Sequence, residues 1–163
     1  MDLDSIKTLY DYNYWARDRI LGASEGMTDE EYRKPTGFTY DGLHSILAHA
    51  LAAEDVWATR FRGEELRGLF PESEVDTLAK LKQRWSLEEA RMREYLDGLT
   101  EARLEEDLVF RQRDGSERST PLWLLLIHVV NHGTQHRSEA AEALTMIGRS
   151  PESLDLTTMY WQA

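Results

Sequence analysis

The stretch HVVNHGTQH, residues 128 to 136, places His128, His132 and His136 four positions apart in a chain that has only five histidines. On a helix, residues four apart diverge by only ~40° and rise ~6 Å. His132 and His136 therefore point the same way, one turn apart, a spacing suited to chelating one cation through two imidazole nitrogens. His128 is displaced from His136 by ~80° and ~12 Å. The three cannot all reach a single ion, because zinc–nitrogen bonds are only ~2.0–2.1 Å long. A fourth imidazole, His49, lies mid-way along another apolar segment, beside the small residues Ala48, Ala50, Ala52 and Ala53, which let two backbones approach. The chain has no cysteine, so any metal must be held by nitrogen and oxygen. The zinc-peptidase motif HExxH is absent, since Gly133 stands where its general-base glutamate would be.

These residues need helices to carry them, and the apolar periodicity supplies four. The first runs from about Asp4 to Ser24, with Ile6, Leu9, Tyr10, Asn13, Tyr14, Arg17, Ile20 and Leu21 at three- and four-residue steps. GMTDEEYRKPTGF then breaks regular structure and offers turn and cap residues. The second helix begins near Tyr40 or Asp41 and runs to Phe61. One of its stripes joins Leu43, Ile46, Leu47, Ala50, Leu51 and Glu54, an adjoining one carries His49, Ala53, Val56, Trp57 and Arg60, and Gly63 is the expected stop. The third repeats Leu78, Leu81, Trp85, Met92, Leu96 and Leu99, interrupted by Glu88, with Ser73 and Asp76 as its expected cap. LVFRQRDGSERST predicts a β-hairpin, because Asp114-Gly115 is a two-residue turn signal. The fourth helix is expected to take Thr120 as cap, Pro121 at its first position, and Gly148 as its end. From Leu122 to Val130 it is apolar almost all round, so it is the most buried. The reading is an all-α four-helix bundle with a small hairpin before the last long helix, forming one domain over residues 1–163.

Composition narrows the partners. Thirty acidic side chains oppose nineteen basic ones, a formal net charge of -11. That balance disfavours nucleic acid and anionic membranes, both of which need clustered Lys and Arg. The N-terminal segment has no basic stretch followed by an apolar one, so no signal peptide is expected. The apolar run Pro121 to Val130 falls far short of the ~20 residues that span a bilayer. A cytoplasmic protein is the expectation.

Two segments, LHSILAHALAAEDVWATRF and PLWLLLIHVVNHGTQHRSEAAEAL, resemble the signature segments of the DinB/YfiT superfamily, and the similarity extends to the hairpin and the terminal LTTMYW. The resemblance implies an up-up-down-down bundle, a homodimer, and one divalent ion, zinc or nickel, on a histidine of the second helix and two histidines of the fourth. The matching positions are His49, His132 and His136; His128 aligns with an upstream histidine that is usually not a ligand. Ser138 and Glu139 stand where the family often has Gly and Gln, a departure expected to touch the nearby pocket rather than the metal. Three imidazoles leave coordination positions open for a water or a thiolate. The resemblance accordingly implies a metal-dependent transferase using a bacillithiol- or mycothiol-type thiol, or a hydrolase, acting on a small molecule. The alternative is a non-catalytic, stress-associated metal-binding or interaction protein.

Other residues carry weaker expectations. Glu54 and Glu139 are candidate acceptors for the ligands' second ring N–H. Trp57 could wall the pocket or fill the core, while Asn131 and Gln135 turn ~100° away from the metal side. Tyr14 and Trp15 read as core or dimer surface, and Arg111, Arg113 and Arg118 as solvated hairpin charges or an anion site. His44 has no evident role.

Overall fold

The computed structural model describes residues 1–37, 40–66, 68–112 and 114–162, with Glu72 described by its backbone only. Four long helices make the bundle: α1 (Leu3–Ala23), α3 (Leu43–Phe61), α4 (Leu78–Asp97) and α6 (Leu122–Met146). Shorter pieces decorate it: α2 (Asp29–Tyr32), a single 3-10 turn (Glu72–Glu74), α5 (Glu101–Glu105), the strands β1 (Asp107–Arg111) and β2 (Glu117–Pro121), and α7 (Leu156–Gln162). The four long helices and the hairpin are where the periodicity puts them. The local start and stop signals fare unevenly.

Asp2 caps α1 by accepting from the Ser5 N–H at 2.8 Å, a partner for one of the orphan donors of a helix start. α4 is capped by Thr77, which accepts from the Lys80 N–H. The expected cap Ser73 sits in the 3-10 turn instead, and Asp76 pairs with Lys80. α6 begins one residue later than expected. Thr120 pairs with Leu108 in the hairpin, so its backbone is extended and Pro121 takes the cap position without a side-chain bond. At the other end of α6, Gly148 has φ 76°, and the Arg149 N–H returns to the Leu144 carbonyl at 2.9 Å, the left-handed glycine stop that the sequence signals. The hairpin turn is one residue longer than the Asp-Gly dipeptide suggests: Gln112 donates to the Ser116 carbonyl at 2.8 Å, and Gly115 to the Gln112 carbonyl at 3.0 Å.

Helix directions correct the expected up-up-down-down order. Lys7 pairs with Asp97 and Asp11 with Arg93, so α1 and α4 are antiparallel. Glu54 meets Trp85, and Phe61 stacks near Tyr95, so α3 and α4 are parallel. Tyr10 reaches Leu126 and Asn13 reaches Arg137, so α6 runs parallel to α1. The order is up-down-down-up. The chain between α3 and α4, residues 62–77, is long enough to run back along a ~30 Å bundle before α4 starts. His44 fastens that crossover, its buried ring bonding to the Val75 carbonyl at 3.1 Å.

The core has two apolar halves. One gathers Tyr10, Phe61, Met92 and Leu126; the other Ile20, Leu47, Trp85 and Leu144. Between them lies a buried polar layer of Asn13, Glu54, Glu88 and Arg137. Tyr14 belongs to the core, whereas Trp15 is half-buried under the Arg19 guanidinium at 4.2 Å. Among the described residues no helix is long and apolar enough to cross a membrane.

Glu88, which breaks the α4 stripe in sequence, is buried all the same, and burial pushes its carboxyl from 4.5 up to about 7 against the pull of Arg62. Because the folded value lies above the unfolded one, its stabilising contribution is complete below about pH 4.5 and is lost as the pH rises through about 7. Glu88→Gln is therefore expected to leave the melting temperature unchanged near pH 4.5 and to raise it by about 2–6 °C near pH 8. Paired thermal melts across that range check it.

Candidate metal centre

α3 and α6 pack antiparallel and bring His49 opposite His132 and His136. The ring centres of His49 lie 5.3 Å from His132 and 4.7 Å from His136, and one ligand nitrogen from each of the three falls within 4.8 Å of the others. The Nε2 atoms of His132 and His136 face each other at 3.2 Å. That separation matches the ~3.3 Å edge of a tetrahedron with ~2.0 Å metal–nitrogen bonds, and the remaining closure falls on His49. His128 stands apart from this group: its ring is 6.1 Å from His132, exposed, and set edge-on to Trp57.

The protonation states suit a cation. His136 donates its Nδ1–H to Glu139 Oε2 at 2.7 Å, which fixes the tautomer and leaves Nε2 as a lone pair aimed inward. Burial, and then the neighbouring His136, His49 and His128, pull His132 down to about 4, so it is neutral over the physiological range. Two lone-pair nitrogens held this close repel unless a proton or a cation lies between them. The donor set and its geometry fit a borderline divalent ion.

Tyr40 completes the surroundings. Its ring stacks on His49 at 4.1 Å, and its hydroxyl lies 3.0 Å from His49 Nε2. The sequence marks Tyr40 only as a possible start of the second helix; α3 begins at Leu43, and Tyr40 meets His49 through the fold. The two candidate carboxylates divide: Glu139 holds His136, while Glu54 faces away into the polar layer. Asn131 and Gln135 are exposed, and Gln135 Nε2 lies 3.5 Å from Glu139 Oε1. Trp57 packs on the edge of the core and also lines a cleft of about 540 Å³ that opens beside His49. Arg111 and Arg118 are exposed on the hairpin, and Arg113 lies outside the described residues.

The polar layer holds α3 and α6 together by way of α1. Glu54 Oε1 accepts from Asn13 Nδ2 at 3.0 Å, and Oε2 from Trp85 Nε1 at 2.8 Å. Asn13 Oδ1 in turn accepts from Arg137 Nη1, and Arg137 Nη2 donates to Thr134 at 2.8 Å. Burial pulls the Arg137 guanidinium below its ordinary value, while the Glu54 carboxylate favours its charged form. Breaking such a buried set by removing one member strands the others and costs ~3–5 kcal/mol. Gly133 makes the room: a Cβ there would sit 2.7 Å from both Arg137 Nη1 and Asn13 Oδ1.

The sequence model of the DinB family matches residues 3–163. The chain belongs to the DinB family. Among its relatives, Protein DinB of Bacillus subtilis (strain 168) is 26% identical over 161 residues, covering 90% of this chain and 88% of that protein. A DinB family member from Shewanella denitrificans superposes with a TM-score of 0.64 at 18% identity, over 95% of this chain and 88% of that one. A conserved protein from Enterococcus faecalis gives 0.58 at 14% identity, over 88% and 96%. At these identities the two structures share the fold with the present chain. Glu139 bonds directly to one of the three clustered imidazoles, so this position touches the cluster itself and not only the nearby pocket.

Two variants test this construction. Glu139→Ala is expected to weaken divalent-metal affinity about 10–100-fold, measured by competition with a chromophoric chelator, with little change in the melt of the metal-free protein. Gly133→Ala is expected to lower stability by ~1–3 kcal/mol despite the better helix propensity of alanine, read by denaturant titration.

Proposed function

We propose that this chain binds one divalent transition-metal ion, zinc or nickel, through His49, His132 and His136, and uses it to transfer a low-molecular-weight thiol onto a small electrophile. The observation that carries the reading is the convergence of three imidazoles, with His132 held neutral by burial, beside an open cleft. Three protein ligands are the pattern of a working rather than a closed structural site. The bound ion would supply Lewis acidity that lowers the pKa of a thiol in the open position.

The residues of the chain do the remainder. Glu139 keeps the His136 proton on Nδ1, so Nε2 stays free to bind. Tyr40 and Tyr40's stacking contact hold the His49 ring plane, and Trp57 and Ala53 bound the space an electrophile enters. In the reaction the thiol loses its proton to solvent, sulfur forms a bond to the electrophilic carbon, and the bond to the leaving group breaks with its electron pair. Glu139, the carboxylate bonded to the imidazole cluster, is engaged by His136 and is not placed as a general base, so activation of the nucleophile would fall to the bound ion.

The purified protein is expected to carry roughly one divalent ion per chain, to lose it in His49→Ala and His132→Ala, and to keep it in His128→Ala, as read by inductively coupled plasma mass spectrometry. The loaded protein is expected to conjugate a bacterial thiol to monobromobimane, with turnover lost in His132→Ala. Metal retained in His49→Ala contradicts the ligand set. Full metal loading without turnover across a thiol panel favours the non-catalytic metal-binding reading.

A further inference from the structure

Tyr40 stands three residues ahead of α3, on a turn that is pinned rather than trailing. Asp41 Oδ1 accepts from the Thr36 N–H at 2.9 Å and from the Gly37 N–H at 3.2 Å. Gly42, with φ 98°, passes so near the Arg33 and Lys34 carbonyls that a Cβ would lie 3.2 Å from each oxygen. These contacts set the Tyr40 ring against the imidazole cluster. It stacks on His49, with centres 4.1 Å apart and planes 20° from parallel, and meets His136 edge-on at 5.4 Å.

Stacking needs only the ring, yet the side chain also brings a hydroxyl to the cluster. That hydroxyl lies 3.0 Å from His49 Nε2, its one polar contact among the described residues. Rings this close and this nearly parallel lie face to face. The hydroxyl therefore stands over the face of His49, outside the ring plane in which the Nε2 lone pair points. Tyr40 does not occupy the in-plane direction from which a cation binds that nitrogen. When the three imidazole lone pairs are given to an ion, the phenol O–H needs another acceptor. The one next in reach is the atom that fills the coordination position left over.

We propose that the Tyr40 hydroxyl donates a hydrogen bond to an anionic atom held in that remaining position, which in the transfer reaction is the thiol sulfur. The proposal deepens the transferase reading and rests on it for the ion and the thiol. Tyr40 keeps its own proton throughout: the thiol proton leaves to solvent, and the O–H···S contact steadies the negative charge on sulfur. A hydrogen bond with a charged partner is the strong kind. Tyr40 acts from the His136 side of the cluster, whereas the cleft lined by Ala53, Trp57 and His128 opens on the other side of His49. Nucleophile and electrophile therefore do not compete for the phenol.

Cobalt(II)-loaded protein tests this, because ligands that enter the coordination sphere change its visible absorption. Three probes are titrated into the parent protein and Tyr40→Phe. Two of them, 2-mercaptoethanol and azide, ligate through atoms that keep a lone pair to accept a hydrogen bond; imidazole ligates through a nitrogen that keeps none. Tyr40→Phe retains the stacked ring and is expected to weaken mercaptoethanol and azide about tenfold or more, with imidazole within about twofold and cobalt content unchanged. Mercaptoethanol and azide affinities that match the parent's overturn the proposal. An equal loss for all three probes overturns it too, since it marks the phenol as a spacer for His49. The same titrations separate the two readings. Azide binding that depends on Tyr40, in a protein that binds no thiol, supports the donor and defeats thiol transfer. Thiol binding that ignores Tyr40 does the reverse, and a protein that takes up no cobalt defeats both.

Discussion

The carboxylate of Glu54 sits where the four long helices meet and is shared between them: α1 donates to it through Asn13, α4 through Trp85, and the Arg137 cation of α6 faces it across Asn13. An unpaired carboxylate at that depth would be intolerable, so the layer is stable only when every partner is in place. This requirement sets the spacing of α3 and α6. His49 lies on α3 five residues before Glu54, and His132 and His136 bracket Gly133 and adjoin Arg137 on α6. The imidazoles converge because the helices that carry them are tied one turn away.

Gly133 shows how closely the two functions are joined. It follows His132 directly, and its missing side chain is the space that Arg137 and Asn13 occupy. The motif HVVNHGTQHR thus encodes two things at once: the nitrogen donors on one side of the helix, and on the other the glycine and arginine that lock that helix to α1 and α3. An HExxH arrangement at this place would put a side chain into the polar layer, so this bundle excludes it on steric grounds as well as by sequence.

The four long helices, the hairpin and the pairing of His132 with His136 were legible in the sequence because each rests on local spacing: 3.6-residue periodicity, an Asp-Gly turn, an i,i+4 step. Glu54 stands in the Leu43 to Leu51 stripe, but a solvated surface charge fits that place in the sequence equally well, and its burial against Asn13 and Trp85 shows only in the fold. Helix direction was not legible, because a crossover as long as residues 62–77 permits either sense for α4. Tyr40, the Asn13 to Arg137 bond and the choice of Glu139 over Glu54 as the partner of His136 depend on contacts between distant segments, which no local pattern records. The capping errors have a shared origin. Thr77 and Pro121 took positions assigned to Ser73 and Thr120 because a 3-10 turn and a strand claimed the latter pair.

The account stands or falls on all three imidazoles binding one ion with a coordination position left over. X-ray absorption spectroscopy of the zinc-loaded protein measures this directly. Three imidazole nitrogens at ~2.0–2.1 Å are predicted, with a lighter exchangeable scatterer that gives way to sulfur at ~2.3 Å when a thiol is added. A first shell with fewer than three imidazoles, or one closed by protein ligands and unmoved by thiol, would contradict it.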